Sequence, residues 1–196
     1  TSLGSAELNE GLETIGRSAF SGARLGKKLS SGKIEGYSLT IPSTVQSIDA
    51  GAFQNCSGLK EVVFADGATD TLTIGGTTSF NLFGSCERLE RVKLPKRLKG
   101  VPQYAFADCK ALCEVTIQNG PTGIGDNAFK NCVSLEEIVL PPSMESVGDE
   151  AFMGCTSLGS AELNEGLETI GRSAFSGARL GKKLSSGKIE GYSLTI

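Results

Sequence analysis

The 196-residue sequence predicts a solenoid, mainly β, with parallel strands and one short helical turn in each coil. Three observations predict it. Phenylalanine recurs at Phe83, Phe106, Phe129, Phe152 and Phe175, each 23 residues after the last, with earlier copies at Phe20 and Phe53 spaced by 33 and 30. A fixed period of that length marks stacked repeats. Each period also carries a short apolar stretch of period two, as a strand with one buried face requires. The 26 glycines are many for a globular domain, but a solenoid turns a corner in every coil.

The stretch Gly125 to Val147 shows how one coil is read. Leu135, Ile138 and Leu140 alternate as a strand, and Pro141-Pro142 ends it because proline cannot donate to a ladder. Met144 and Val147 return to the core after a turn, and Gly148 is expected to let the backbone turn sharply. Ala151, Phe152 and Cys155 then follow at the spacing of one helical turn. The residue before each cysteine, or before the alanine that replaces it, is Gly22, Asn55, Ser85, Asp108, Asn131, Gly154 or Gly177. Each tolerates left-handed backbone or bonds locally, which suits the end of such a turn.

One coil cannot cover its own apolar side, so the coils must stack, each side chain on its counterpart. The expected core ladder is Phe20, Phe53, Phe83, Phe106, Phe129, Phe152 and Phe175, flanked by Cys56, Cys86, Cys109, Cys132 and Cys155. Strand spacing predicts about 4.8 Å per coil. Rungs that close would permit disulfides, but Ala23 and Ala178 at the same position show that the site selects small volume, so the cysteines are expected to be small hydrophobes. Cys113 stands apart: it should face solvent, as a reactive or cross-linking thiol or as a plain surface cysteine.

At these residues a family resemblance is visible. Ile124-Gly125-Asp126-Asn127-Ala128-Phe129, Cys132, Leu135, Ile138 and Leu140-Pro141 form I-G-x-x-A-F-x-x-C-x-x-L-x-x-V-x-L-P, which resembles the BspA-like leucine-rich repeat. The resemblance spans essentially the whole chain. It implies a right-handed leucine-rich solenoid of extracellular or cell-surface location, used for adhesion and protein binding, with no catalytic residues. Such proteins are found on oral and gut bacteria and on some parasitic protists.

Residues 1–196 are read as a single solenoid of seven Phe-centred turns with two excursions. The first, residues 26–37, holds glycines, serines and three lysines and predicts an exposed loop or small hairpin, either a tolerated insertion or a binding loop. The second, residues 65–79, opens with an Asp-Gly turn, and Leu72-Thr73-Ile74 alternates as a short strand.

Composition excludes several functions. The net charge of −3 argues against a nucleic-acid surface. No apolar run reaches the roughly 18 residues of a membrane span. Histidine is absent, which removes the commonest general base and metal ligand, and there is no CxxC. No catalytic, cofactor-binding or metal site is therefore expected, and no enzymatic activity. The candidate contact face is the residue between the last two core positions of each strand: Glu7, Thr40, Val63, Lys93, Thr116, Val139 and Glu162. It is neither a stripe of one sign nor an aromatic platform. Lys93, Lys96, Arg97 and Lys99, with Arg91 nearby, read as a solvated basic face.

Residues 156–196 repeat residues 1–41 without one difference, at an offset of 155. Folding does not demand identity at exposed positions, so the identity reports copying. It implies a 155-residue super-repeat of six coils, of which this chain is one window. Both ends read as ordinary internal coils without polar caps, which predicts continuation in a longer array or end-to-end self-association through protein contacts. Two functions follow: a structural or adhesive surface array acting as filament or stalk, or a recognition module that binds a specific partner protein.

Overall fold

In a computed structural model, residues 7–28, 30–31, 34–67, 71–75, 81–183, 189–190 and 194–195 are described. They form a parallel β-solenoid, and two sets of strands run along it. The main sheet begins with Ile34–Ile41, Leu59–Phe64, Arg91–Leu94 and Glu114–Ile117, paired in that order and all parallel. A separate sheet continues with Glu137–Val139, Ser160–Glu162 and Leu194–Thr195. Two-residue strands on another side carry a second ladder. Ile15 pairs with Ile48, Ile48 with Ile74, Val101 with Ile124, Ile124 with Val147 and Val147 with Ile170.

The seven phenylalanines form one column between these sheets. Successive rings are nearly parallel, with centroids 5.1–5.4 Å apart and planes within 8°. The centroid separation exceeds the 4.8 Å strand spacing, as expected of parallel rings stacked with an offset and not as a face-to-face sandwich. Phe53, Phe83, Phe106, Phe129 and Phe152 are fully buried, while Phe20 and Phe175, at the ends of the column, are half-buried.

The Phe segment is not a helical turn, contrary to the spacing argument. No helix occurs among the described residues. Two residues adopt left-handed backbone in every segment but that of Phe83, where only Ser85 does. One precedes the cysteine position, as expected: Gly22, Asn55, Ser85, Asp108, Asn131, Gly154 and Gly177 all have positive φ. The other lies two residues before the phenylalanine, at Ser18, Gly51, Tyr104, Asn127, Glu150 and Ser173. Donors alternate accordingly. Ala128, Lys130 and Cys132 give their N–H to the carbonyl three residues back, as in consecutive β-turns. Asn127, Phe129 and Asn131 give theirs to Asp149, Ala151 and Met153 of the next coil. Every second N–H is thus spent between coils, which leaves no ladder for an α-helix.

Each thiol finds an acceptor. Cys56, Cys86, Cys109, Cys132 and Cys155 donate S–H to the carbonyls of Phe20, Phe53, Phe83, Phe106 and Phe129, at 3.0–3.2 Å. All six cysteines are free. The ladder is therefore not only small apolar volume but a donor row that ties each coil to the phenylalanine of the one before.

The glycine of the I-G pair has another role than the sharp turn expected of it. Gly148 does not have positive φ, yet a Cβ there would lie 2.7 Å from the backbone nitrogen of Asp126. Its coil presses backbone to backbone on the preceding one. The same contact lets Asp126 accept the N–H of Asp149, and Asp149 that of Arg172, at 2.8 and 2.7 Å.

The first excursion is a hairpin: Gly26–Lys28 runs antiparallel to the start of Ile34–Ile41. Its identical copy does the same, Lys182–Lys183 against Ile189–Glu190. In the second excursion, residues 68–70 and 76–80 lie outside the described residues, and Thr73–Ile74 rejoins the solenoid beside Ser47–Ile48.

Arg97 does not belong to a solvated basic face. It is only 9% exposed, and its guanidinium donates to the carbonyls of Pro42 and Val45, two coils earlier along the chain. Gly67 lies between the two, where a Cβ would meet the Ser43 carbonyl at 2.8 Å and the Arg97 side chain at 3.4 Å, so the long side chain passes over a coil that has no side chain in its way. Lys93, Lys96 and Lys99 are exposed. Arg97→Ala should cost about 2–3 kcal/mol in urea denaturation, through lost charge-assisted hydrogen bonds. Lys96→Ala should stay within about 0.5 kcal/mol. Equal effects would refute the distinction.

Candidate functional site

The main sheet face holds the candidate contact residues in register. Thr40 lies opposite Val63, Val63 opposite Lys93, and Lys93 opposite Thr116. Beyond a break, Val139 lies opposite Glu162. Glu7, Thr40, Lys93, Thr116, Val139 and Glu162 are exposed and Val63 is half-buried. Strand alternation places them outward because their neighbours in sequence, such as Val62 and Phe64, fill the core. Glu7 precedes the first strand and is not joined to the row by strand pairing.

A polar column runs beside this row. The Ser38 hydroxyl donates to Glu61 at 2.9 Å, and Arg91 Nε donates to the other carboxylate oxygen at 3.2 Å. Those two donors hold the Glu61 carboxyl below its ordinary range, the serine contributing most. Lys60 and Arg91 also reach Glu90, at 3.3 and 3.4 Å. Lys93 sits 3.9 Å from Asp66. These exposed pairs contribute little stability each. They fix the charge pattern of the face: alternating signs over the first coils, then Glu114 and Glu137 without an intervening cation.

Sequence reasoning missed one feature of this face. No strand pairing joins Glu114–Ile117 to Glu137–Val139. The backbone on each side bonds away from the gap. Cys113 and Glu114 donate to Glu90, while the carbonyl of Glu136 accepts from Gly159 and Ser160. The Phe column is unbroken here, with Phe106 and Phe129 at 5.3 Å. The coils thus stay stacked inside and part at the sheet, leaving a cleft of about 410 Å³ between the strands. Ile117, Val115, Val139 and Pro141 supply its apolar wall, and Glu114, Glu137 and Cys113 its rim. Cys113 is exposed as expected, its thiol 3.5 Å from the Glu90 carbonyl. Pro141 has no N–H to give, but Pro95 holds the same repeat position beside an intact pairing, so proline does not mark the gap. The 23-residue period runs through the gap unchanged, so periodicity could not reveal it.

Among the described residues, no three His, Cys, Asp or Glu gather as a metal site, and no helix is long and apolar enough to cross a membrane.

The repeat geometry agrees with a family model, the BspA type leucine rich repeat region, matched in 6 copies over residues 31–81 and 76–190. The chain belongs to the BspA-type leucine-rich repeat family. This BspA-type solenoid is similar to a leucine-rich repeat protein of Bacteroides ovatus, at 28% identity and TM-score 0.72, over 87% of this chain and 39% of that one. It is similar to a leucine rich cell surface protein of Faecalibacterium prausnitzii, at 29% identity and TM-score 0.57, over 69% of this chain and 36% of that one. The T. pallidum leucine rich repeat protein shares the fold at 22% identity and TM-score 0.59, over 89% and 91% of the two chains. The chain thus spans well under half of the first two proteins. No curated relative matches its sequence. As a BspA-type repeat, the chain is a module of a kind suited to protein interactions.

Proposed function

We propose that this chain is a segment of an extracellular or cell-surface repeat array, a structural or adhesive filament or stalk that acts through protein–protein contacts and not through catalysis. The observation that carries the reading is the identity of residues 1–41 and 156–196, whose described parts share features of backbone at both ends of one solenoid. Ser18 and Ser173 share their left-handed φ, at 53° and 55°, and both copies form the hairpin. A 155-residue unit that ends as it begins extends without a new kind of junction, and repeated identical faces raise avidity without new contacts. The cell-surface name of the Faecalibacterium protein supports the location. The test uses beads bearing chains of one, two and three 155-residue units, matched for mass of protein, on epithelial and matrix surfaces. Adhesion should rise by about a hundredfold or more from one unit to three. Adhesion that merely tracks the number of units would overturn the reading.

The cleft supports a second reading, a recognition module for a particular partner protein. Its apolar wall and acidic rim fit a basic segment that carries one aliphatic anchor. Val139→Glu with Thr116→Arg should then abolish adhesion at every unit number, whereas the array reading predicts that avidity persists.

A further inference from the structure

Asn119-Gly120 is the one Asn-Gly pair in the chain; every other asparagine precedes a residue with a side chain. The pair follows strand Glu114–Ile117 at a corner where Asn119 is exposed, directly past Ile117 of the cleft wall. Only glycine fits at 120, because a Cβ there would lie 1.9 Å from the Lys96 carbonyl oxygen of the preceding coil. The stack thus sets an unshielded backbone nitrogen beside asparagine, one of the thermally labile residues. Ser143 of the next coil holds both. Its N–H donates to Asn119 Oδ1 at 3.0 Å, its hydroxyl oxygen accepts the Gly120 N–H at 2.9 Å, and its O–H donates to the Pro121 carbonyl at 2.8 Å. No strand pairing joins these coils in the main sheet, so this clamp closes the corner just past Ile117 and Pro141. The same relay occurs at Gly11, whose N–H donates to Thr44 Oγ1 at 3.0 Å while that hydroxyl donates to the Leu12 carbonyl at 2.9 Å. There the residue before the glycine is Glu10, whose carboxylate accepts the Ser43 N–H and has no amide to lose.

We infer that Asn119 is a site of spontaneous modification, deamidation to aspartate and isoaspartate, and that Ser143 sets its rate. The Gly120 nitrogen gives its proton to water or hydroxide and bonds to Asn119 Cγ. The Cγ–Nδ2 bond breaks, ammonia leaves, and a succinimide ring is closed. Water then opens the ring. Cleavage between Cγ and the Gly120 nitrogen leaves aspartate. Cleavage between the residue 119 carbonyl carbon and that nitrogen leaves isoaspartate, with the chain running through Cγ. One water is taken up and one ammonia released, with no oxidant or cofactor. In the clamp neither reacting group is free. The proton on nitrogen is committed to Ser143 Oγ, and the bond from Oδ1 to the Ser143 N–H resists the swing of Cγ onto the nitrogen. Opening the clamp costs these hydrogen bonds, so the folded joint between coils slows the reaction. Aspartate keeps the acceptor, as Glu10 does beside Ser43. Isoaspartate lengthens the backbone by a methylene and cannot re-form the clamp.

The full chain, Ser143→Ala and Ser143→Thr are held in mildly alkaline buffer, each folded and in guanidinium chloride. Digests are then read by mass spectrometry, with isoaspartate told from aspartate by electron-transfer fragmentation. Conversion in the folded proteins should be confined to Asn119. Ser143→Ala should speed it about tenfold over the folded parent, through two lost hydrogen bonds, with the circular dichroism unchanged. Ser143→Thr should match the parent, since Thr44 makes the same relay. In denaturant the parent and both variants should convert at one rate, well above that of the folded parent. Equal rates for folded and unfolded parent would overturn the inference. So would equal rates for the folded parent and folded Ser143→Ala, or folded-state conversion spread over Asn127 and Asn131. The comparison of folded with unfolded parent needs no variant, so it decides the matter even where Ser143→Ala fails to fold.

Discussion

Phe129→Ala should lower stability by about 3–5 kcal/mol, the largest effect expected of any single substitution in the column. The ring is fully buried and stacked on both faces, at 5.3 Å from Phe106 and 5.2 Å from Phe152. Its removal loses the transfer of a phenyl group, two offset-stacked pairs and the filling of a site whose backbone is pinned to both neighbours. Phe129 N–H is tied to Ala151, and its carbonyl accepts from Cys132 N–H and Cys155 S–H. Such a site collapses poorly, so the cavity term stays high. Phe175→Ala is the internal control. That ring is half-buried and has one stacked partner, so it should cost roughly half as much. Because the coils around Phe129 are joined through their neighbours, Phe129→Ala should also weaken coupling between the two halves and broaden the transition. Urea denaturation followed by circular dichroism and tyrosine fluorescence reads both effects. A cost for Phe129→Ala no greater than that for Phe175→Ala would sink the idea that the column is the cohesive element.

The second large effect is alkaline. Burial pushes the Cys109 and Cys155 thiols up from an ordinary value near 9.0 to about 12, and desolvation drives Cys132 and Cys86 upward as well. The unfolded chain releases these protons from about pH 9, while the folded chain keeps them until about 12. Over that window the native state binds more protons than the unfolded state, so stability falls as pH rises. The full stability is present below pH 9. Each thiol removes on the order of 1.4 kcal/mol per pH unit above it. Cys109 and Cys155 together should therefore cost about 5 kcal/mol between pH 9 and 11. The double variant Cys109→Ala/Cys155→Ala should be less stable than the parent at pH 7, where it lacks two hydrogen bonds to phenylalanine carbonyls. It should be the more stable protein above about pH 10.5, because it has fewer protons to lose. Alanine is tolerated at this position, as Ala23 and Ala178 show. Parallel pH curves for variant and parent would show that the thiols do not carry the alkaline loss.

The candidate contact row and the core ladder were legible before any coordinates because both depend on alternation within one strand. Once Leu135, Ile138 and Leu140 face inward, Val139 must face out. The left-handed residue before each cysteine was legible because Asn, Asp, Ser and Gly prefer that geometry. Its companion two residues before the phenylalanine was not, since Tyr104 and Glu150 carry no such preference and the stack imposes it on them. Arg97 misled for a similar reason: three lysines around it suggested water, and only the folded chain brings its guanidinium to the carbonyls of Pro42 and Val45.

What the sequence determined by itself is the coil: its period, its buried positions, its stacking and the identity of its two ends. These rest on local geometry repeated often enough to be read as a pattern. What only the tertiary structure decided is everything set between coils. It chose turns over a helix by spending alternate N–H groups on the next coil, made each core cysteine a donor to a phenylalanine of the coil before, and opened the sheet between Thr116 and Val139. None of these is a property of one coil, because each depends on how far apart two neighbouring backbones come to rest, and a repeat pattern does not record that distance.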